Sequence, residues 1–475
     1  IEKVQQKMFV RYAFEYANRI PRLDMKSVDN YYLPELVNRF FDTVSLQKGV
    51  SKLLLDIPTA TIQILFGLLL LSFYHPAFVV FSIILVLIVS AILYYSSSRG
   101  LQTSLLESQF KYGVAGWLQE LARVVRSFKF SKGTFLHLRR TDELVNGYLA
   151  ARTSHFDILL FQYWALVFSK VVITAAMLIV GSILLLNQQL NLGQFIAAEI
   201  VILLVLNSVE KLIVNIDTVY DVLTAVEKLS RVTDKPLDKD GTMVMPKTGL
   251  GMQVQLNNLQ FEFQNKPVLR GITFLVEPGK KIAVMGSDGS GKSTLLRLLS
   301  GVFSDYEGGL IIDNIPLRNY QVDGYRLQTG VLVNQQDIFY GTLLDNITMG
   351  DANVKPDEIM LLAKKIGLTD FVQEQEQGFA SILDPIGKRL SRSVIQKILL
   401  LRALINHPRL LLLEDPWRGL EDHNRQKIQD YLLEEIKGAT VFVESNDDDF
   451  AKRADAVMIF ENGTLKYMGP WMPGM

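Results

Sequence analysis

The chain of 475 residues has no cysteine, which removes disulfides, thiolate metal sites and a cysteine nucleophile in one step and leaves the redox compartment open. It also lacks an excess of either charge. Lys plus Arg and Asp plus Glu are both 49, so bulk charge draws the chain towards neither nucleic acid nor an acidic partner. Histidine is scarce, with His75, His137, His155, His407 and His423 the only five. The chain starts at Ile1, and IEKVQQKMFVRYAF has neither the short apolar core nor the small-residue cleavage site of a secretory signal, so it reads as a chain joined midway. No internal repeat or low-complexity tract stands out.

What the sequence does have is apolar length. Mean hydropathy is +0.20, above that of an ordinary soluble enzyme, and four apolar stretches crowd the first half, at 53–74, 76–95, 157–186 and 194–214. Each is long enough to cross a hydrocarbon core of roughly 30 Å as helix. Runs such as ILFGLLLL and FSIILVLIVSAIL keep no polar face, unlike the buried helices of a soluble core. The links at 73–76 and 186–193 carry no Lys or Arg, whereas 97–155 carries nine, Arg99, Lys111, Arg123, Arg126, Lys129, Lys132, Arg139, Arg140 and Arg152. By the positive-inside rule the short links face out, the long stretch faces the cytoplasm, and four spans leave both ends inside. The span at 157–186 is long and holds Lys170, so its first part is expected to continue a helix rising from the cytoplasm. Lys170 and Glu199 are the ionisable residues best placed within spans. Such charges face a water-filled pathway or each other, while snorkelling and a structural hydrogen bond are the plainer alternatives.

Past Val232 the composition turns to Pro, Gly and charge in TDKPLDKDGTMVMPKTGLG, the signature of a linker over 233–252. From 253 to 475 short apolar strands such as KIAVMG, TGVLVN and TVFVES alternate with helical patterns, which predicts an α/β domain on a largely parallel sheet. The predicted fold class is therefore membrane all-α over 1–232 joined to an α/β domain, which the GxxxxGK[ST] pattern at Gly286, Gly291, Lys292 and Ser293 makes a P-loop NTPase domain.

Within that domain KKIAVMGSDGSGKSTLLRLLSG reads as strand, glycine loop and helix, and it fits GxxxxGK[ST] at Gly286, Gly291, Lys292 and Ser293. Over Gly286, Ser287, Asp288, Gly289, Ser290, Gly291, Lys292, Ser293 and Thr294 backbone N–H groups can curl around phosphate oxygens. Lys292 then lies on the β and γ phosphates of ATP and Ser293 on Mg²⁺. A second run, LLLLEDPWRGLE at 410–421, carries two carboxylates at the end of an apolar strand, where a Mg²⁺-organising acid stands in such sites.

These motifs, with the spans before them, make the chain resemble a half-size ABC exporter, a transmembrane domain followed by an ATP-binding cassette, over nearly its whole length. The family's transmembrane domain has six helices, so the four spans match the third to sixth and the first two are expected to be absent from these residues. Its two coupling elements fall near 24–34 and 116–128, where WLQELARVVRSF has amphipathic spacing. The resemblance puts the adenine-stacking aromatic at Phe263, with Phe261 as rival. It puts the glutamine that links Mg²⁺ to the transmembrane domain at Gln335, with Gln336 as rival.

Departures from the family pattern concentrate in the motifs that serve hydrolysis. Where the family has LSGGQ, this chain has Leu390, Ser391, Arg392, Ser393 and Val394. Ser391 keeps a hydroxyl for the γ-phosphate of a facing subunit, but both glycines that permit close backbone approach are gone. The family's metal-binding Asp falls on Glu414 and its catalytic Glu on Asp415. Asp415 is one methylene shorter, roughly 1.5 Å of reach, and a misplacement near 1 Å costs about a hundredfold in rate. The switch histidine falls on Asn446, which hydrogen-bonds but carries neither imidazole's proton nor its charge.

The expected protein is a multi-pass subunit of the plasma (inner) membrane, its cassette in the cytoplasm. It exports a substrate as one half of a homo- or heterodimer, with ATP at the cassette interface and slow or partner-dependent hydrolysis. The alternative is a membrane-bound regulator that senses ATP without transporting. Peptide, bacteriocin or type I protein secretion with a periplasmic adaptor is the expected subclass, with lipid or drug export beside it. Besides the second half-transporter the implied partner is membrane lipid, and no nucleic acid is implied.

Overall fold

The apolar runs of Leu, Ile, Val and Phe lie within long helices in the first part of the chain: α1 (Asp42–Tyr74), α2 (Pro76–Arg123), α3 (Leu136–Leu186) and α4 (Leu192–Val214), the last continued by α5 (Ile216–Thr233). The computed structural model describes residues 1–28, 33–131, 133–334 and 337–473. Among these it holds four helical stretches long and apolar enough to cross a membrane. The two inter-span turns are written in the sequence. His75 is extended and its Nδ1 accepts from the Ala77 amide at 3.1 Å, with Pro76 at the first helical position. Asn191 and Gln194 form a reciprocal capping box at the other. α2 and α3 run for 48 and 51 residues. At about 1.5 Å per residue each is roughly two and a half times as long as a hydrocarbon core is thick. The cation-rich stretch between the second and third spans is thus largely their helical continuation, and the long third run starts at Leu136.

Large apolar side chains such as Leu65, Phe66, Leu87, Phe168 and Ile179 stay exposed along these helices, as a lipid-facing surface requires. Small residues set the inner contacts. A Cβ at Gly67 would come within 2.2 Å of Val205 Cγ2, and one at Gly100 within 2.4 Å of the Tyr220 ring. Some buried polar groups pair across helices: Gln162 Nε2 donates to Ser96 Oγ at 2.7 Å and to Tyr220 Oη at 3.1 Å, and His155 lies between Thr103 Oγ1 and Asp217 Oδ1. Lys170 and Glu199 do not meet. Lys170 Nζ donates to Glu210 Oε2 at 2.9 Å and to Asn207 Oδ1 at 3.0 Å, Glu210 standing about three turns beyond Glu199 on α4.

The structure divides into one unit of Ile1–Arg22 with Val28–Lys235 and another of Leu23–Ser27 with Pro236–Met475. Of the predicted coupling element at 24–34, residues 29–32 lie outside the described residues. Its start belongs to the second unit: the Asp24 amide donates to Pro236 O and Lys26 Nζ lies 2.6 Å from Asp305 Oδ2. Composition reads 233–252 as a linker, but from Pro236 onward the segment lies on the α/β unit. Met243 exchanges backbone hydrogen bonds with Asn319 and Gln321, and Met245 and Met252 are buried. The methionines hide apolar anchors in a stretch whose Pro, Gly and charge dominate its composition.

The second unit carries two main sheets. β1 (Val254–Phe263), β2 (Lys266–Val276) and β4 (Glu307–Ile312) form an antiparallel sheet with the short strand Ile315–Pro316. The other sheet runs in the order β9 (Thr464–Gly469), β8 (Ala456–Glu461), β3 (Lys281–Gly286), β7 (Thr440–Glu444), β6 (Leu410–Glu414) and β5 (Thr329–Leu332). All its pairings are parallel except that of β8 with β9. β3, β6 and β7 are central and buried on both faces, hence their unbroken apolar runs. Their carboxyl ends open on one edge, and that edge carries the site.

Candidate active site

β3 delivers the chain to the glycine loop, and the helix Lys292–Leu299 leaves it. The loop needs glycine where the backbone turns left-handed against a neighbour. Gly286 has φ +140° and a Cβ there would sit 2.2 Å from Phe460 O; Gly291 has φ +100° and a Cβ would sit 2.6 Å from Leu269 Cδ2. Ser287, Asp288 and Gly289 are exposed at the crest. Ser290 Oγ is buried without a hydrogen-bond partner in the structure, a polar atom that a ligand oxygen can satisfy. Lys292 is buried, its Nζ held 2.9 Å from Gly286 O and 2.8 Å from Ser287 O. Ser293 and Thr294 follow in the helix's first turn, where unpaired amides gather. A buried ammonium and the amides of a helix's first turn, around a loop that is tight at Gly286 and Gly291, suit phosphate oxygens. Gly286→Ala should accordingly cost the folded cassette about 2–4 kcal/mol through backbone strain and overpacking. Chemical denaturation of purified protein checks this, and an unchanged midpoint would contradict the loop geometry.

The acids arrive from the next two strands. β6 and β7 pair in parallel register with Glu414 directly opposite Glu444. Glu414 is buried, and Asn334 donates to both its oxygens, from the amide at 3.0 Å and from Nδ2 at 2.6 Å. Glu444 Oε1 accepts from Ser293 Oγ at 3.2 Å and stands 3.8 Å from Lys292 Nζ, while its Oε2 is buried and unpaired. Burial, and secondarily the charge of Glu414, push the Glu444 carboxyl above the usual glutamate range. Asp415 lies in the left-handed region at φ +45°, its amide donating to Glu444 O at 2.8 Å and its carbonyl accepting from Gln396 Nε2 at 3.0 Å. Burial raises its carboxyl as well, against the opposing pull of Arg418. That is the direction a general base working near neutrality needs. Among the described residues no group of three or more His, Cys, Asp or Glu is placed to cage a metal ion. Magnesium beside nucleotides is ordinarily held by one or two protein oxygens together with phosphate oxygens. Ser293 Oγ and Glu414 offer hard oxygens of that kind.

The remaining predicted residues divide. Asn446 joins the site directly, its Oδ1 accepting from the Gly286 amide at 3.2 Å. Phe261 is buried in the core, whereas Phe263 is partly exposed at the end of β1, its ring edge-on to Phe261 at 5.0 Å and to Phe303 at 5.1 Å. Ser391 is exposed and caps the helix Arg392–Leu404, its Oγ accepting from the Val394 amide at 3.2 Å. Gln335 and its rival Gln336 lie outside the described residues. Sequence reasoning missed Glu444 and Asn334. Glu444 ends the run TVFV two residues before Asn446, just as Glu414 ends LLLL, and that parallel is the signal that marks it.

Comparison with known proteins bears on the whole chain. Residues 6–209 match the ABC transporter transmembrane region, and residues 269–418 match the ABC transporter family's cassette. The chain is 28% identical over 249 residues to an ATP-dependent lipid A-core flippase of Hahella chejuensis, covering 52% of this chain and 43% of that protein. It is 31% identical over 219 residues to the flippase of the same name from Saccharophagus degradans, covering 46% and 37%. An ABC multidrug transporter of Trichophyton rubrum is 29% identical over 221 residues, 46% of this chain and 17% of that one. The matched part thus spans less than half the length of these curated relatives. The structure of a bacterial Atm1-family ABC exporter with ATP bound superposes with a TM-score of 0.86 at 18% identity, over 99% of this chain and 83% of that one, and so shares its fold.

Proposed function

We propose that this chain, which belongs to the ABC transporter family and joins that family's transmembrane region to its cassette, is one half of a dimeric exporter that binds Mg·ATP firmly and hydrolyses it slowly. One observation carries the reading: the phosphate loop keeps its glycines, its buried lysine and its serine, while the signature, the base and the switch residue are altered. In this reading Lys292, Ser290 and the loop amides hold the β and γ phosphates, and Phe263 carries the adenine. Ser293, Glu414 and Gln335 hold Mg²⁺, which when bound neutralises charge on the phosphate oxygens. Asp415 orients and deprotonates the attacking water, Asn446 reaches towards the γ-phosphate, and Ser391 serves the nucleotide of the facing subunit.

A partner cassette with an intact signature would complete this chain's own nucleotide site, and its own site would face the degraded LSRSV. A heterodimer is therefore the arrangement we favour, in an inner membrane with the cassette in the cytoplasm. The names of the matched flippases and multidrug transporters move lipid-linked or amphipathic cargo ahead of peptides and adaptor-linked proteins. Reconstitution with candidate sister subunits in vesicles tests the proposal. ATP-driven movement of a labelled lipid or amphipathic cargo between leaflets or into the lumen is the expected result. ATP binding with no cargo movement for any pairing would instead make the chain a membrane-bound ATP sensor.

A further inference from the structure

The carboxylate of Glu444 stands inside the shell that grips phosphate. Strand register places it opposite Glu414, its Oε1 is 3.2 Å from the Ser293 hydroxyl and 3.8 Å from the Lys292 ammonium, and its Oε2 is buried with no partner. A buried carboxylate facing one polar hydroxyl and one shared lysine is only half satisfied. The other charged groups that act on it carry the same sign, Glu414 on the adjacent strand and Asp415, whose amide donates to Glu444 O. A triphosphate seated on Lys292 brings more negative charge into this corner. Buried charges a few ångströms apart interact strongly, because little water is present to screen them.

We propose that Glu444 makes nucleotide binding by this chain depend on a divalent cation: it repels metal-free ATP from the phosphate loop and admits ATP only when a cation offsets the combined charge of Glu444, Glu414 and the phosphates. Lys292 and Ser293 are the residues through which it acts, so the inference rests on the phosphate-loop reading given above. Glu444 is a specificity-determining residue in this role. Neither proton transfer nor direct bonding to the metal is required of it. The lysine that would otherwise hold free ATP is partly neutralised by its own protein, which is why the metal complex gains over the bare nucleotide.

The test compares affinities for a fluorescent ATP analogue in Mg²⁺ and in EDTA, using full-length protein in lipid nanodiscs. Wild type is expected to favour the metal complex by about a hundredfold, and Glu444→Gln to shrink that preference by about tenfold, mostly by tightening metal-free binding. Glu444→Val, which suits a buried strand, should do the same and guards against a folding defect special to either substitution. A preference unchanged in both variants, with Lys292→Ala still abolishing binding, overturns the role of Glu444 alone. Undiminished binding in Lys292→Ala overturns the site reading itself, and this inference with it.

Discussion

Lys292→Ala should lower affinity for Mg·ATP by about a hundredfold or more and abolish the proposed ATP-driven transport, because it removes the buried ammonium that the proposed site sets against the phosphates. Lys292 is 6% exposed, and its ammonium is held by Gly286 O and Ser287 O, with the Glu444 carboxylate 3.8 Å away. It is thus pre-positioned at the mouth of the loop, and little ordering is left to do when phosphate arrives. The alanine variant also strips a donor from two backbone carbonyls. Part of any loss could therefore come from a loosened loop, at a cost of about 1–3 kcal/mol for each group left unsatisfied. Lys292→Arg separates the two contributions, since it keeps charge and donors but not the compact ammonium that fits between these carbonyls. Calorimetric affinities for the three proteins, set beside their unfolding midpoints, decide the matter. Binding by Lys292→Ala within about threefold of wild type, at equal stability, would remove the phosphate loop from the account.

The α/β unit and the spans were largely legible because their signals are local. GSDGSGKST carries its own backbone requirements, and the structure meets them with φ +140° at Gly286 and +100° at Gly291. FSIILVLIVSAIL can only be helix in lipid or a helix buried on every side. What stayed hidden depended on register and long-range pairing. Glu444 looks like the polar end of a strand until β7 is set between β3 and β6, which puts it against Glu414 and Ser293. Asn334 becomes a partner of Glu414 only once β5 lies beside β6. The helical continuation of the second span escaped a window tuned to membrane thickness, since its charged surface resembles a loop in composition, whereas that of the third was expected from the length of 157–186 and reaches back to Leu136. The composition of 233–252 likewise says linker, and it takes packed Met245 and Met252 to show where the segment lies.

Asp415→Asn should leave Mg·ATP binding intact and cut turnover by about a hundredfold or more, the usual share of a positioned general base. Backbone conformation gives a reason for aspartate at this position beyond descent. Its φ of +45° is a region that Asp and Asn tolerate and longer side chains resist. The amide is fixed to Glu444 O, the carbonyl to Gln396, and Pro416 follows, so the turn cannot relax to suit another residue. Asn preserves that conformation, which makes it a clean removal of the carboxylate. Asp415→Glu restores the family's reach but places a longer side chain in a left-handed turn. It should recover hydrolysis only in part, offsetting its gain in reach with about 1 kcal/mol of strain in the folded state. In the proposed reading Arg392 and Ser393, where the family has two glycines, limit the recovery further. Single-turnover hydrolysis with saturating Mg·ATP isolates the chemical step from cargo movement. Turnover in Asp415→Asn within about threefold of wild type would show that the base lies elsewhere, and attention would pass to the neighbouring carboxylates of Glu414 and Glu444.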